Sequence, residues 1–258
     1  MSIWGKILGG AAGFALGGPL GAILGAVAGH AVDRMRDGLA DAVQPQGAEG
    51  DLPPHVDTAT KRIAFTIGVI VLGAKMAKAD GQVTRDEVAA FKEVFHIPPH
   101  EAANVGRLFD RARRDAEGFE PYASQLARLF RHNPAVLEEL IDGLFHIARA
   151  DGAVNEDELK YLESVAVIFG LSPATWQRLR AANVTAPDSN PYAILGVAPS
   201  ASQAEIKAAY RTLVKENHPD RLMAQGLPQE FVDIANEKLA RINAAYDLLD
   251  SRARATAK

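Results

Sequence analysis

The chain has 258 residues, with 28 Lys and Arg against 32 Asp and Glu, a formal net charge of −4 and no cysteine. That length allows one or two domains and an appendage. The slightly acidic balance argues against nucleic-acid binding, and the lack of cysteine excludes disulfides, zinc fingers and thiol catalysis. No activated nucleophile, phosphate-binding loop or clustered catalytic set stands out, so the chain is not read as an enzyme and no cofactor is expected.

The first element is an apolar run. Ile7 to Val32 contains no Asp, Glu, Lys or Arg, and as a helix rising about 1.5 Å per residue it would reach roughly 39 Å, more than a ~30 Å hydrocarbon core. Gly9, Gly13, Gly17, Gly21, Gly25 and Gly29 recur every four residues, which leaves one helix face without side chains. This is the small-xxx-small pattern through which membrane helices approach one another. In water each such glycine would weaken a helix by ~1 kcal/mol relative to alanine. Pro19 is expected to bend the run, and Trp4, His30, Arg34 and Arg36 suit interfacial anchoring. The segment is read as a transmembrane anchor that associates with a second copy through its glycine face. Two other readings stand beside it: a cleavable signal peptide, with Ala26-Val-Ala28 as the small-x-small site, and a soluble or fibrous glycine-rich helix. Lys6 on one side and Arg34 and Arg36, diluted by Asp33 and Asp37, on the other leave the orientation open.

Gly38 to Pro54, with Gln44-Pro-Gln-Gly-Ala-Glu-Gly50 and Pro53-Pro54, reads as a flexible tether. Residues 56–183 are expected to be all-helical and internally duplicated. Ala77-Lys-Ala-Asp-Gly-Gln-Val-Thr-Arg-Asp-Glu87 is repeated as Ala148-Arg-Ala-Asp-Gly-Ala-Val-Asn-Glu-Asp-Glu158. In each copy an apolar helix arrives, Asp-Gly turns, and a new helix starts at a cap three residues before a glutamate, Thr84 to Glu87 and Asn155 to Glu158. Val88, Phe91 and Phe95, and Leu159, Leu162 and Val165, then recur at helical spacing for one shared core. This portion resembles the TerB-like (tellurite-resistance) helical domain, some relatives of which are suspected of binding divalent metal. Asp80, Asp86, Glu87, Asp151, Asp157 and Glu158 carry suitable oxygens, but the spacing of an EF-hand loop is absent. They are therefore read as turn and cap residues, with Asp80 and Asp151 the candidates if metal binds. The default function of the portion is an interaction platform.

Near the carboxy terminus Ile206, Tyr210 and Leu213 form an apolar stripe, and Lys207, Arg211 and Lys215 line a neighbouring one. Ser202 to Glu205 is a capping box. Pro219 cannot continue a helix and biases His218 away from the α region, so the helix is expected to end and a fixed turn to begin. With one imidazole, one carboxylate and a cationic face, His218-Pro219-Asp220 looks like a docking surface. The segment 190–258 resembles the J domain of the DnaJ family. Its blocks are Asn190-Pro-Tyr-Ala-Ile-Leu-Gly-Val197, Ala209-Tyr-Arg-Thr-Leu213, His218-Pro-Asp-Arg221 and Ile242-Asn-Ala-Ala-Tyr-Asp-Leu-Leu249. The resemblance implies a co-chaperone that engages a DnaK-type chaperone in its ATP-bound state and stimulates ATP hydrolysis. On that implication Asp220 pairs with an arginine of the chaperone, and His218 and Pro219 shape the loop. Lys207, Arg211, Lys215, Tyr210 and Arg221 complete the chaperone-binding set, the cations acting mainly on association rate. Tyr210, Leu213, Ile242, Tyr246 and Leu249 are also expected in the core of a helical hairpin. The zinc module and Gly/Phe-rich linker of many DnaJ-like proteins are missing, which points to a J domain attached to another specialised unit.

The whole order resembles the DjlA proteins of bacterial inner membranes. The expected fold is all-α: an N-terminal transmembrane helix (1–37), a flexible linker (38–55), a TerB-like helical bundle (56–183), a short linker (184–189) and a C-terminal J-domain helical hairpin (190–258). The implied function is a membrane-anchored co-chaperone that recruits a DnaK-type chaperone to the inner membrane. Because that partner and its ATP are cytoplasmic, the C-terminal domains are expected in the cytoplasm, with a single pass. The alternative is a metal-responsive or envelope-stress interaction scaffold acting through the TerB-like domain.

Overall fold

A computed structural model describes residues 18–22, 56–79, 97, 102–115, 118–150, 152–184 and 190–256. Helix α1 (Thr58–Ala79) is the hub of the helical domain. From Ile63 to Ala77 it is buried on every side, as a helix without a polar face must be. A deeply buried cation, Lys75, is satisfied by the carboxylate (3.1 Å) and carbonyl (3.2 Å) of Asp115, and the Asp115 carboxylate also accepts from the Tyr122 hydroxyl at 2.6 Å.

Around this hub lie α2 (Ala102–Arg114), α3 (Glu120–Leu129), α4 (Pro134–Ala148) and α5 (Glu156–Ile168), and α6 (Pro173–Val184) packs on α4. Leu126, Leu140, Leu144, Phe145, Leu162 and Val165 close the core. The Tyr161 hydroxyl reaches across from α5 to donate to the Leu72 carbonyl of α1 at 2.9 Å.

The second copy of the duplicated block folds as its sequence implies. Helix α4 arrives and ends at Ala148, and Asn155 opens α5. Asn155 Oδ1 accepts from the Asp157 and Glu158 amides, and Glu158 Oε2 accepts from the Asn155 amide at 2.8 Å. Leu162 and Val165 are buried, with Leu159 packed against the same core. In the first copy α1 arrives in the same way. The Thr84 cap, Asp86 and Glu87, and Val88, Phe91 and Phe95 lie outside the described residues.

The carboxy-terminal domain holds α7 (Pro191–Leu195), α8 (Gln203–Glu216), α9 (Pro219–Gln225), a 3-10 turn (Gln229–Phe231) and α10 (Val232–Thr256). Helices α8 and the second half of α10 form the expected hairpin, with Ile194, Leu195, Ile206, Leu213, Ile242, Ala245 and Leu249 in a core of their own. Tyr210 stacks on Tyr246 at a ring separation of 4.1 Å and donates to Asn243 Oδ1 at 3.1 Å.

The segment between those two helices behaves differently. Leu222, Leu227, Phe231, Ile234 and Ala235 are buried in the core of the helical domain, not in that of the hairpin. The core of the helical domain thus extends into the carboxy-terminal domain, beside the separate core of the hairpin. No strand occurs among the described residues.

Candidate functional site

The site is built on the end of α8. Its start is fixed by the Ser202 and Glu205 box, in which both the Ser202 amide and hydroxyl donate to Glu205 Oε2 at 2.7 Å. Those bonds hold the Glu205 carboxyl below its usual value. Lys207, Arg211 and Lys215 are all exposed along this helix.

Asn217 ends it. The Asn217 amide and its buried side-chain NH2 both donate to the Leu213 carbonyl, at 2.9 and 2.8 Å. His218 takes the extended conformation (φ −67°, ψ 127°) that a following proline favours. The sequence suggests a turn here; in the structure Pro219 is the first residue of a new helix, α9, where its missing N–H leaves nothing unpaired.

His218 caps that helix. Its Nδ1 accepts the Asp220 amide at 3.3 Å, which places the proton of the neutral ring on Nε2. Pro219 is buried beneath them. The Asp220 side chain is 82% exposed and that of His218 52%, with 3.8 Å between Oδ2 and Nδ1. Arg221 folds back to donate to the Lys215 carbonyl at 3.3 Å. The result is an outward carboxylate and imidazole on a rigid corner flanked by exposed cations. Nothing in this corner provides a nucleophile or a metal cage. Its chemistry is that of charge pairing with another surface. Tyr210, half-buried under Tyr246, belongs to the support of this face.

The structure also reveals polar residues that the sequence reading missed. Helix α4 presents Glu138, Glu139 and Asp142 to Lys238 of α10, at 3.4, 2.8 and 2.9 Å. Arg178 pairs with Glu138, and the Asn183 NH2 donates to Asp142 Oδ1 at 2.6 Å. Burial, reinforced by Asp142 and Glu138 and only partly offset by Lys238, pushes the Glu139 carboxyl up to about 7. Burial also acts on Asp142, but Lys238, Asn183 and Arg241 outweigh it and its pKa falls. For Lys238, burial is outweighed by the three carboxylates and its pKa rises. Three acids inside the apolar run Val136–Phe145 were the available signal, since an amphipathic helix would place them outward.

Asp80, Asp86, Glu87 and Asp151 lie outside the described residues. Asp157 pairs with Lys160 at 3.0 Å and Glu158 serves the cap. Among the described residues no group of three or more potential ligands is placed to hold a metal.

Of the amino-terminal run, Gly9, Gly13, Gly17, Gly25 and Gly29 also fall outside, and Gly21 is buried. Beside it Leu20 enters the core of the helical domain, and its amide donates to Gln125 Oε1 at 2.9 Å. No helix of the described residues is long and apolar enough to cross a membrane.

Three family models match parts of the chain. Residues 1–44 match the family model described as co-chaperone DjlA transmembrane domain, residues 66–181 that of tellurite resistance protein TerB, and residues 190–256 that of the DnaJ domain. The chain is 30% identical to co-chaperone protein DjlA of Photobacterium profundum over 96% of its own length and 98% of the relative's. It is 32% identical to that of Vibrio cholerae over the same shares, and 27% identical to that of Legionella pneumophila over 72% of this chain and 76% of the relative's. No solved structure matches. With an exposed His-Pro-Asp corner on a DnaJ domain, a TerB domain before it and a membrane-anchoring segment at its start, the chain belongs to the DjlA family of co-chaperones.

Proposed function

We propose that the chain recruits a DnaK-type chaperone to the bacterial inner membrane and stimulates its ATP hydrolysis. In this reading residues 1–37 anchor the protein in a single pass, 38–55 tether it, 56–183 form the interaction platform, and 190–258, after the short linker 184–189, engage the ATP-bound chaperone. The C-terminal domains face the cytoplasm, where the chaperone and ATP are. Asp220 meets an arginine of the partner, His218 and Pro219 hold the corner, and Lys207, Arg211, Lys215 and Arg221 attract an acidic patch, while Tyr210 supports the face from below. Gly9, Gly13, Gly17, Gly21, Gly25 and Gly29 provide a face on which two anchors pair.

The observation that carries the reading is the Asp220 carboxylate, 82% exposed, at the start of a helix whose first residue is buried. A solvated charge on so fixed a backbone is ready to pair without first being ordered, which keeps the entropic cost of docking low.

Flotation of vesicles carrying the full-length chain tests the proposal. ATP-loaded chaperone should rise with the vesicles, ADP-loaded chaperone should stay behind, and Asp220→Asn should abolish the capture. Equal capture by the Asp220→Asn chain would refute the assignment.

A further inference from the structure

The backbone that leaves Asp220 enters the helical domain two residues later. Leu222 is wholly buried there, Leu227 and Phe231 follow it, and Ile234 and Ala235 of α10 complete the contact. The hairpin's own core skips this stretch, its buried members passing from Leu213 to Ile242. Helix α9 is only seven residues long, too short to hold its shape alone.

The contact is closely fitted. Phe231 meets Phe65 edge-on at a ring separation of 4.7 Å. A β-carbon on Gly143 of α4 would come within 2.6 Å of the Phe231 ring. Gly226, at φ +115°, caps α9 and lies so near α1 that a β-carbon there would come within 2.8 Å of that of Lys61. Polar groups also pair across the contact. Arg62 donates to the Met223 carbonyl at 3.2 Å, Arg241 to the Ala182 carbonyl at 3.3 Å, and Lys238 is buried among the α4 acids. All of this leaves His218, Asp220, Lys207, Arg211 and Lys215 facing outward.

We propose that the helical domain is an intrachain partner of the J domain: by gripping Leu222, Leu227, Phe231 and Lys238 it holds the His218–Asp220 corner in its docking shape and so sets the strength of chaperone stimulation. The inference rests on the co-chaperone reading above and adds the regulation of that same site. Because the grip leaves the docking face open, it supports the site and does not mask it. Anything that loosens the contact lowers the output with no change in the docking residues.

The test uses the full-length chain and two variants, Gly143→Leu and Phe231→Ala. The first adds a side chain whose β-carbon has Phe231 atoms as its three nearest neighbours, at a helix position where leucine is favoured over glycine by ~1 kcal/mol. The second removes the ring and adds no bulk, so it decides the matter if the first fails to fold. Hydrogen exchange and chaperone ATPase are measured on each. The expected result is exchange at residues 219–231 faster by roughly tenfold or more, with α1 and α5 still protected, and stimulation reduced at least ~fivefold, the size of a ~1 kcal/mol coupling. Unchanged exchange, or faster exchange with full stimulation, overturns the inference. A parent chain that gives no stimulation overturns the co-chaperone reading itself, and the exchange data, taken without any chaperone, tell the two failures apart.

Discussion

Lys238 Nζ lies 2.8 Å from Glu139 Oε1, joining two helices through residues 99 apart in the chain. Both side chains are buried. The pair lies between the TerB and J-domain portions, so two units with separate sequence signatures become one structure. A buried cation shared by three carboxylates stabilises only as a complete set.

Removing the cation should therefore be costly. Lys238→Met is expected to lower the unfolding free energy by ~3–5 kcal/mol, because Glu139 and Asp142 lose their common partner. Urea unfolding of the intact chain measures it. Adding Glu139→Gln to that variant should recover part of the loss, giving a double-mutant cycle that is less than additive.

The same cluster gives a pH dependence. Glu139, raised to about 7 from an ordinary 4.5, binds its proton more tightly when folded. Its contribution is full below about 4.5 and is lost as pH rises through about 7. Asp142 acts in the opposite sense, contributing above its ordinary value and failing only in acid. Between about pH 5 and pH 8 the parent should lose on the order of 3 kcal/mol more stability than the Glu139→Gln variant. Parallel urea midpoints for the two proteins across that range would contradict the assignment.

The cationic stripe should act on encounter. Changing Lys207, Arg211 and Lys215 together to glutamine is expected to slow association with the chaperone by roughly tenfold at low salt, and much less at high salt. Dissociation should change little. Stopped-flow binding at several ionic strengths separates the two rates.

The α5 cap should be worth about as much as caps generally are. Asn155→Ala removes the acceptor for two amides and is expected to cost ~1 kcal/mol. The fall in the thermal midpoint checks it, and chaperone stimulation should be unaffected because the Asn155 side chain bonds only within its own cap.

Local chemistry made much of this legible in the sequence. The Asn155 and Ser202 caps, the basic stripe of α8 and the Tyr210 and Tyr246 core all follow from spacing within one helix. The elements that were missed depend on contacts between segments. Pro219 was read as a stop, yet the same missing N–H that ends α8 suits the first position of α9. Phe231, Leu227 and Lys238 carry no local signal of what they contact. Only the three-dimensional approach of Gly143 and the α4 acids shows what they hold. The apolar run from Ile7 was legible from composition as an anchor, and residues 1–44 match the DjlA transmembrane domain; the burial of Leu20 beside Gln125 depends on a distant segment.

The proposed role of the His218–Asp220 corner is to drive a chaperone's ATPase. Its most direct measurement is the single-turnover hydrolysis rate of a DnaK-type chaperone with the full-length chain, compared with Asp220→Asn and His218→Gln. Strong stimulation by the parent is expected, and a rate near that of the chaperone alone with either variant. A variant that stimulates as well as the parent would contradict it.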